Sequence, residues 1–564
     1  MFSRRSGITP VLAMLAVLAL IVSACTAVPG VPGDQTGAED PDGHLVTNQG
    51  AEPDTIDPHK ASFVGEIAVI NSVFEGLMTL DPETLKPIPG AAAAEPEVSA
   101  DGLTYTYTLR DDLKYSDGSP LTANDFVYGF TRTCDPRTEG VYAFVLYIIV
   151  GCDDWNHMDP STATPAELEA AKAELGVRAL DDKRIEFTLI EPAAYFPSIT
   201  YMWVGMPARQ SDVERGGDRW TEPATYIGNG PFKLVEWKHN QEMVFERNEN
   251  YRLPVKLARW TRVQIIEGAV AFAAYRGDEL DAVGVAAEDL RVVEGDPELS
   301  AQLIEGGGSC TFYYGFNIAK PPFDDPKVRL AFAKSFDREA YINDVQKIGK
   351  AATGFIPEGF PGNDPTDDVQ TFDVAAAKQL LAESTYANSP ELNSIKFTYS
   401  ASARSKTRVE WAQQQWKTNL GIEVQPDPVE STAYTQLVKQ PETTPQLFVL
   451  GWCADFPDEQ NWHTTVWISG DGISAGRTSY ENPEFDTLVR NADKDTDSEK
   501  RAADYLRAGK ILSQDAPAAW LYYDSTKFLL KPYVKGVTTS AIDSVLGQFK
   551  MNEIFMTTDA PDRS

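Results

Sequence analysis

Histidine and cysteine are scarce in this chain, five of each among 564 residues. The histidines, His44, His59, His157, His239 and His463, are scattered, and no cysteine stands in a C-x-x-C or Cys/His spacing. No metal site is therefore expected. Bases are also short: 50 Lys and Arg face 83 Asp and Glu, for a net charge of −33. Phosphate recognition needs clustered cations, so nucleic acid is excluded as a partner. Gly306-Gly307-Gly308 lacks the Lys and helix of a phosphate loop, and there is no dinucleotide fingerprint. No cofactor is expected.

Two enzyme-like patterns fail on context. Gly472-Ile473-Ser474-Ala475-Gly476 matches G-x-S-x-G, but a polar loop precedes it where a nucleophile elbow needs a hydrophobic strand. Asp493-Lys494-Asp495-Thr496-Asp497 starts like a calcium loop, then has Ser498 where Gly is needed and Asp504 where Glu is needed. It reads as an acidic helix start. The chain is not expected to be an enzyme.

Arg4 and Arg5 precede an apolar stretch, Ile8–Val22, too short for a comfortable permanent span. Val22-Ser23-Ala24-Cys25 follows and resembles a bacterial lipobox. Residues 1–24 are read as a lipoprotein signal peptide and Cys25 as the lipid-modified residue that anchors the chain to a membrane. Residues 25–44, rich in Gly, Pro and Asp, read as a flexible tether with a reach of roughly 25 Å. The mature chain is then extracytoplasmic, where thiols pair. Four remaining cysteines allow three pairings. Cys134 and Cys152 lie close in sequence and are expected to pair, leaving Cys310 to bridge Cys453.

What is abundant is alternation of strands and helices. Leu45–Thr47 is a strand, and Ile67, Ile70, Val73, Phe74 and Leu77 share a helical face within Ala68–Leu77 and just before it. Thr104–Arg110 alternates with Tyr105, Tyr107 and Leu109 on one side, Asp117-Gly118 is a tight turn, and Thr122 caps a helix. Thr261–Ile266 and Phe312–Ile318 are strands, the second after the glycine breaker at 306–308. Farther on, Ile395–Tyr399 and Ile422–Val424 are strands flanking a helix over Arg408–Leu420, stopped by Gly421. Ser498–Gln514 is a helix with Ala502, Tyr505, Leu506, Gly509 and Leu512 inward. Leu447–Trp452 is a short apolar run that reads as a strand covered on both faces. Gly451 permits close approach at its end, and Asp455 follows. Ligands gather beyond the carboxyl ends of such strands, so Asp455 is a candidate anchor for a cation.

Several segments together resemble the peptide and oligopeptide-binding family of extracellular solute-binding proteins of ABC importers (solute-binding family 5). They are EPDTIDPHK at Glu52–Lys60, VFEGLMTLD at Val73–Asp81, TYTYTLRDDLKYSDGSPLTANDFVYGF at Thr104–Phe130, GNGPFKL at Gly228–Leu234, FNIAKPPFDDPKVRLAFAKSFDRE at Phe316–Glu339 and GWCADF at Gly451–Phe456. The resemblance implies an α/β, two-lobed periplasmic-binding-protein-like fold (type II, three-domain variant) with mixed sheets. Lobe I would comprise residues 45–72, 207–309 and 523–564, an inserted β-rich domain II residues 73–206, and lobe II (domain III) residues 310–522.

It further implies that an oligopeptide is held as a strand in the interlobe cleft and delivered to ABC permease subunits, with the protein a monomer. Gly451, Trp452, Cys453 and Ala454 would form one side and Ser62, Phe63 and Val64 the other. Asp455 would pair with the peptide's α-ammonium, and Tyr142 and Tyr313 would line the cleft. Cys310 and Cys453 match a family disulfide. Where some relatives carry an arginine for the peptide carboxylate, this chain has Val449, which argues against one fixed peptide length. The alternative is a same-fold binder of an oligosaccharide, a metal chelate or an opine-like compound.

Overall fold

The computed structural model describes residues 37–439, 441–470, 472–543 and 545–563. The leader, Cys25 and the first part of the tether lie outside the described residues. Among the described residues no helix is long and apolar enough to cross a membrane.

A mixed sheet of eleven strands forms the backbone of both lobes. Its order from one edge is Gln425–Val429, Lys396–Ser400, Leu447–Cys453, Leu303–Phe316, Ala518–Leu530, Ala282–Gly284, His44–Asn48, Arg259–Val263, Glu242–Arg247 and Phe232–Lys238, with Lys350–Ala351 paired beside Ala518–Leu530. The two long strands, Leu303–Phe316 and Ala518–Leu530, are antiparallel neighbours at the centre. Their first and last halves belong to different cores. Ile304 joins one cluster and Leu529 another near it, whereas Tyr313, Tyr314, Trp520 and Leu521 lie in the two aromatic-rich clusters of the other lobe.

The glycine run does not break this strand. Gly306, Gly307 and Gly308 lie inside it, and the pairing register shifts between Gly307 and Thr311. The reason for glycine is space. A Cβ on Gly308 would stand 2.2 Å from Asp524 Oδ1, and one on Gly307 would stand 3.0 Å from Ala541 Cβ. Asp524 holds the irregular turn of backbone by accepting the Cys310 N–H at 2.7 Å.

The β-rich portion carries a separate four-stranded sheet, ordered Glu97–Val98, Thr104–Thr108, Arg184–Thr188, Val177–Asp181. Tyr105, Tyr107 and Leu109 all turn inward, as the alternation predicts. The Gly118 N–H closes a turn on the Tyr115 carbonyl with φ at +85°. Thr122 and Asp125 form a capping box ahead of the helix Ala123–Cys134. Both disulfides are present, Cys134–Cys152 and Cys310–Cys453.

Several boundaries differ from those predicted. The first helix is Val64–Val73, not Ala68–Leu77. Glu66 caps it early, and Phe74 is already extended. Leu506 is 43% exposed, because the buried stripe of the Ser498–Asp515 helix runs through Tyr505, Ala508 and Leu512. The strand placed at Ile422–Val424 forms at Gln425–Val429, where Pro426 and Pro428 are tolerated on an edge. The tether predicted to reach His44 ends sooner. The Thr558 N–H bonds the Ala38 carbonyl, Glu39 bridges Thr557, and the Asp40 N–H bonds the Met556 carbonyl at 2.8 Å.

Candidate functional site

The segment Asp57–Val64 is fixed from below. The Asp57 carboxylate takes two bonds of 2.6 Å from Arg132 and one of 2.9 Å from Trp220. Burial drives the His59 imidazole down to about 4, with Arg132 adding to the effect, so the ring is neutral and accepts from Arg132 at Nδ1. Trp203 Nε1 donates to the Ala61 carbonyl at 2.9 Å. The loop is thus pinned against Arg132 and Trp203 of the β-rich portion and brings Ser62 and Val64 to the cavity.

Opposite stands the Leu447–Cys453 strand. It pairs along its length with Leu303–Phe316, with Cys310 opposite Cys453 in register. On its other edge, the Lys396–Ser400 strand reaches only Leu447 and Phe448. Tyr434 Oη covers the next position, donating to the Val449 carbonyl at 2.6 Å and accepting the Val449 N–H at 3.0 Å. With the period-two alternation of a strand, Gly451 and Cys453 turn their N–H and C=O groups to that same edge. Among the described residues no strand pairs with it there. Gly451 has no Cβ because one would meet Phe312 Cδ1 at 2.8 Å.

Asp455 follows the strand. Its N–H bonds Asn461 Oδ1 at 2.9 Å, and Asn461 Nδ2 donates to Oδ2 at 3.2 Å. Tyr142 Oη donates to Oδ1 at 3.2 Å, and Tyr201 Oη donates to the Asp455 carbonyl at 3.2 Å. No described Lys or Arg forms an ion pair with it. Loss of bulk water pushes the carboxyl up to about 6, against the two hydrogen bonds that favour its charge. Above that pH it is an ionised group wanting a cation.

A cavity of about 420 Å³ lies beside these groups. Ser62, Val64, Tyr142, Trp452, Cys453, Ala454 and Asp455 of the predicted set line it. Phe63, Val64, Val141 and Phe144 are 67%, 64%, 66% and 40% exposed. Of these, Val64 and Phe144 line the cavity, and large apolar side chains left in solvent at a concavity mark a binding surface.

Three of the predicted residues, Gly451, Phe63 and Tyr313, are not among those that line it. Tyr313 does not line the cavity. It is fully buried, its hydroxyl bonds Ser474 Oγ at 2.6 Å, and its ring packs among Phe355, Trp467 and Trp520. Strand alternation turns it into the lobe core. Ser62 and Phe63 cannot offer backbone donors, because both N–H groups bond Glu66 Oε2, at 2.7 and 2.9 Å. Only the Glu half of a capping box is present, with Phe63 where Ser or Thr would signal one, so nothing in the sequence signalled it. Ser474, in the G-x-S-x-G stretch, is buried on that tyrosine. Among the described residues no cluster of His, Cys, Asp or Glu could hold a metal. Val449 packs its side chain against the core around Tyr314 and Phe316.

Sequence reasoning missed the rest of the wall. Tyr201, Trp203, Ile473 and the C-terminal pair Ile542-Asp543 all line the cavity. They come from segments remote in sequence, with no spacing to unite them.

A family model described as bacterial extracellular solute-binding proteins, family 5 Middle, matches residues 86–473. The periplasmic oligopeptide-binding protein OppA of Escherichia coli (strain K12) is 32% identical over 506 residues, covering 88% of this chain and 89% of that protein. Among solved structures, the unliganded open form of the periplasmic murein tripeptide binding protein MppA is similar at a TM-score of 0.79 and 27% identity, covering 92% of this chain and 99% of that one. Haemophilus influenzae OppA in complex with RPPGFSPFR is similar at 0.67 and 28% identity, covering 92% and 100%.

Proposed function

The chain belongs to family 5 of the bacterial extracellular solute-binding proteins, and from that premise we propose that it captures oligopeptides between its lobes and hands them to the permease of an ABC importer. The observation that carries this is the pairing of an open strand edge with a cation-seeking carboxylate. The edge at Gly451 and Cys453 supplies N–H and C=O groups for an added strand. Asp455, two residues beyond, is positioned for the ammonium at that strand's amino end. A charge-assisted bond of this kind contributes roughly 1.5–3 kcal/mol.

Backbone pairing reads no side chain, so binding would tolerate varied sequences. Because Glu66 takes the donors of Ser62 and Phe63, that rim would contribute acceptors and apolar cover. With Val449 at the position some relatives fill with arginine, no cation at that place fixes where the peptide ends. A related protein's structure contains a nine-residue peptide, which agrees with a site that is open in length. The Cys25 lipid would hold the protein at the outer face of the membrane, and the protein would act as a monomer without performing bond chemistry.

Calorimetry with one peptide, with its amino end free and then acetylated, tests the proposal. Free peptide binds and acetylated peptide binds at least tenfold more weakly. Equal binding of the two, or none of either, refutes it.

A further inference from the structure

The cavity holds a second carboxylate. Asp543 lies in the irregular C-terminal segment before the short helical stretch Gln548–Glu553 and lines the same cavity as Asp455. Its two oxygens are occupied within its own turn: the Ser540 N–H donates to Oδ2 at 2.8 Å and Ser540 Oγ to Oδ1 at 2.9 Å. Both partners are neutral. Among the described residues, neither Asp543 nor Asp455 forms an ion pair with a Lys or Arg, and no Lys, Arg or His lines the cavity.

The segment is not a loose flap. Ile542, the residue before, packs against the cores of both lobes. Ala541 rests on the glycine run, close enough that a Cβ on Gly307 would stand 3.0 Å from its own Cβ. The glycines that let the central strand cross between lobes thus also let this turn settle into the cavity wall. Burial raises the Asp543 carboxyl to about 7, as expected for an acid lacking a counter-charge.

One ammonium leaves such a cavity negative. Charge in a poorly hydrated site discriminates among ligands more than it adds general affinity. We infer that Asp543 is a specificity-determining residue that favours peptides carrying a second cation, a Lys or Arg side chain at the first or second position. This rests on the peptide reading above and names the class of peptide preferred.

The test is calorimetry at pH 8 in low salt with Ala-Ala-Ala-Ala, Lys-Ala-Ala-Ala, Ala-Lys-Ala-Ala and Glu-Ala-Ala-Ala, on the wild type and on Asp543→Asn. Asparagine retains an acceptor for Ser540, and a melting curve checks its fold. The expected result is that one Lys peptide binds the wild type at least tenfold tighter than the all-Ala peptide and the Glu peptide binds weakest. In Asp543→Asn the Lys advantage over the all-Ala peptide falls below threefold. Equal affinity for Ala and Lys peptides, or a Lys advantage that survives the substitution, overturns the inference and leaves the peptide reading standing. Failure of the all-Ala peptide to bind at all sinks that reading and this inference with it. A Ser540→Ala variant, which releases Oδ1 while the backbone N–H still holds Oδ2 and the charge stays, keeps the Lys preference; its loss there would also count against the assignment.

Discussion

Tyr142 donates its hydroxyl to the Asp455 carboxylate at 3.2 Å, joining positions 313 residues apart. One comes from the β-rich portion and the other from the end of the open-edged strand. The contact needs the cleft to bring both walls within reach, so it reports on the same geometry that a ligand would use.

Asp455→Ala is expected to weaken peptide binding by ten- to a hundredfold, since about 1.4 kcal/mol is a factor of ten. The fold should not suffer, because the variant also removes a carboxylate that is costly to keep charged there. Tyr142→Phe should weaken binding by only a few fold, as it deletes one neutral donor. Calorimetry with parallel melting curves checks both.

Peptide binding should weaken at acidic pH. The Asp455 carboxyl, raised to about 6 by burial, must be ionised to meet an ammonium. Below that value it has to lose a proton first, and affinity falls by up to tenfold per pH unit. A peptide amino end stays charged to about pH 8, so affinity should be highest between about 6 and 8. Titrations at pH 5 and 7 compare the two, and Asp455→Asn should flatten the dependence.

The unliganded protein should gain stability as pH falls from 8 to 6.5. Burial raises Asp493 and Asp543 to about 7. An acid with a raised folded value contributes stability that is complete below its unfolded value and is lost as pH rises through the folded one. The two together are worth about 1–2 kcal/mol over this interval. From about pH 7 downward the buried histidines act in the opposite sense and offset part of that gain. His59 and His463 are held neutral by burial, at about 4 and about 3, so stability due to them is lost as pH falls from about 7 toward those values. Urea midpoints at pH 8.0 and 6.5 check the first interval.

Gly308→Ala should destabilise the protein by about 1–3 kcal/mol. The added carbon would meet Asp524 Oδ1 at 2.2 Å and its carbonyl at 2.4 Å. Asp524 would have to release the Cys310 N–H. A lower melting temperature, with the Cys310–Cys453 bridge intact by thiol titration, is the expected outcome. An unchanged midpoint would show that the strand relaxes freely there.

Much of the site was legible because its chemistry is local. Leu447–Cys453 reads as a strand from its apolar run and stop, and Asp455 is placed by simply following it. Cys134–Cys152 could be paired by proximity in sequence, and Cys310–Cys453 followed as the remaining pair, one the family resemblance also implies. What was not legible depends on three-dimensional crowding. Gly306–Gly308 looks like a breaker until Asp524 and Ala541 are seen pressing on it. Tyr313 faces the core rather than the cleft because register, not composition, sets which side of a strand is wet. Asp543 sits in a segment with no periodic pattern, and its place in the cavity wall comes from the fold, which sets it in one cavity with Asp455 and with residues as remote as Ser62.

The covalent tie between Cys310 and Cys453 joins the strand that leads to Asp455 to the long strand beside it. Were the lobes to part for a ligand, as the proposed function requires, that panel could not peel off its neighbour; the whole slab would swing. The Asp455 carboxylate would then be presented or withdrawn with the slab, instead of wandering on a loose arm.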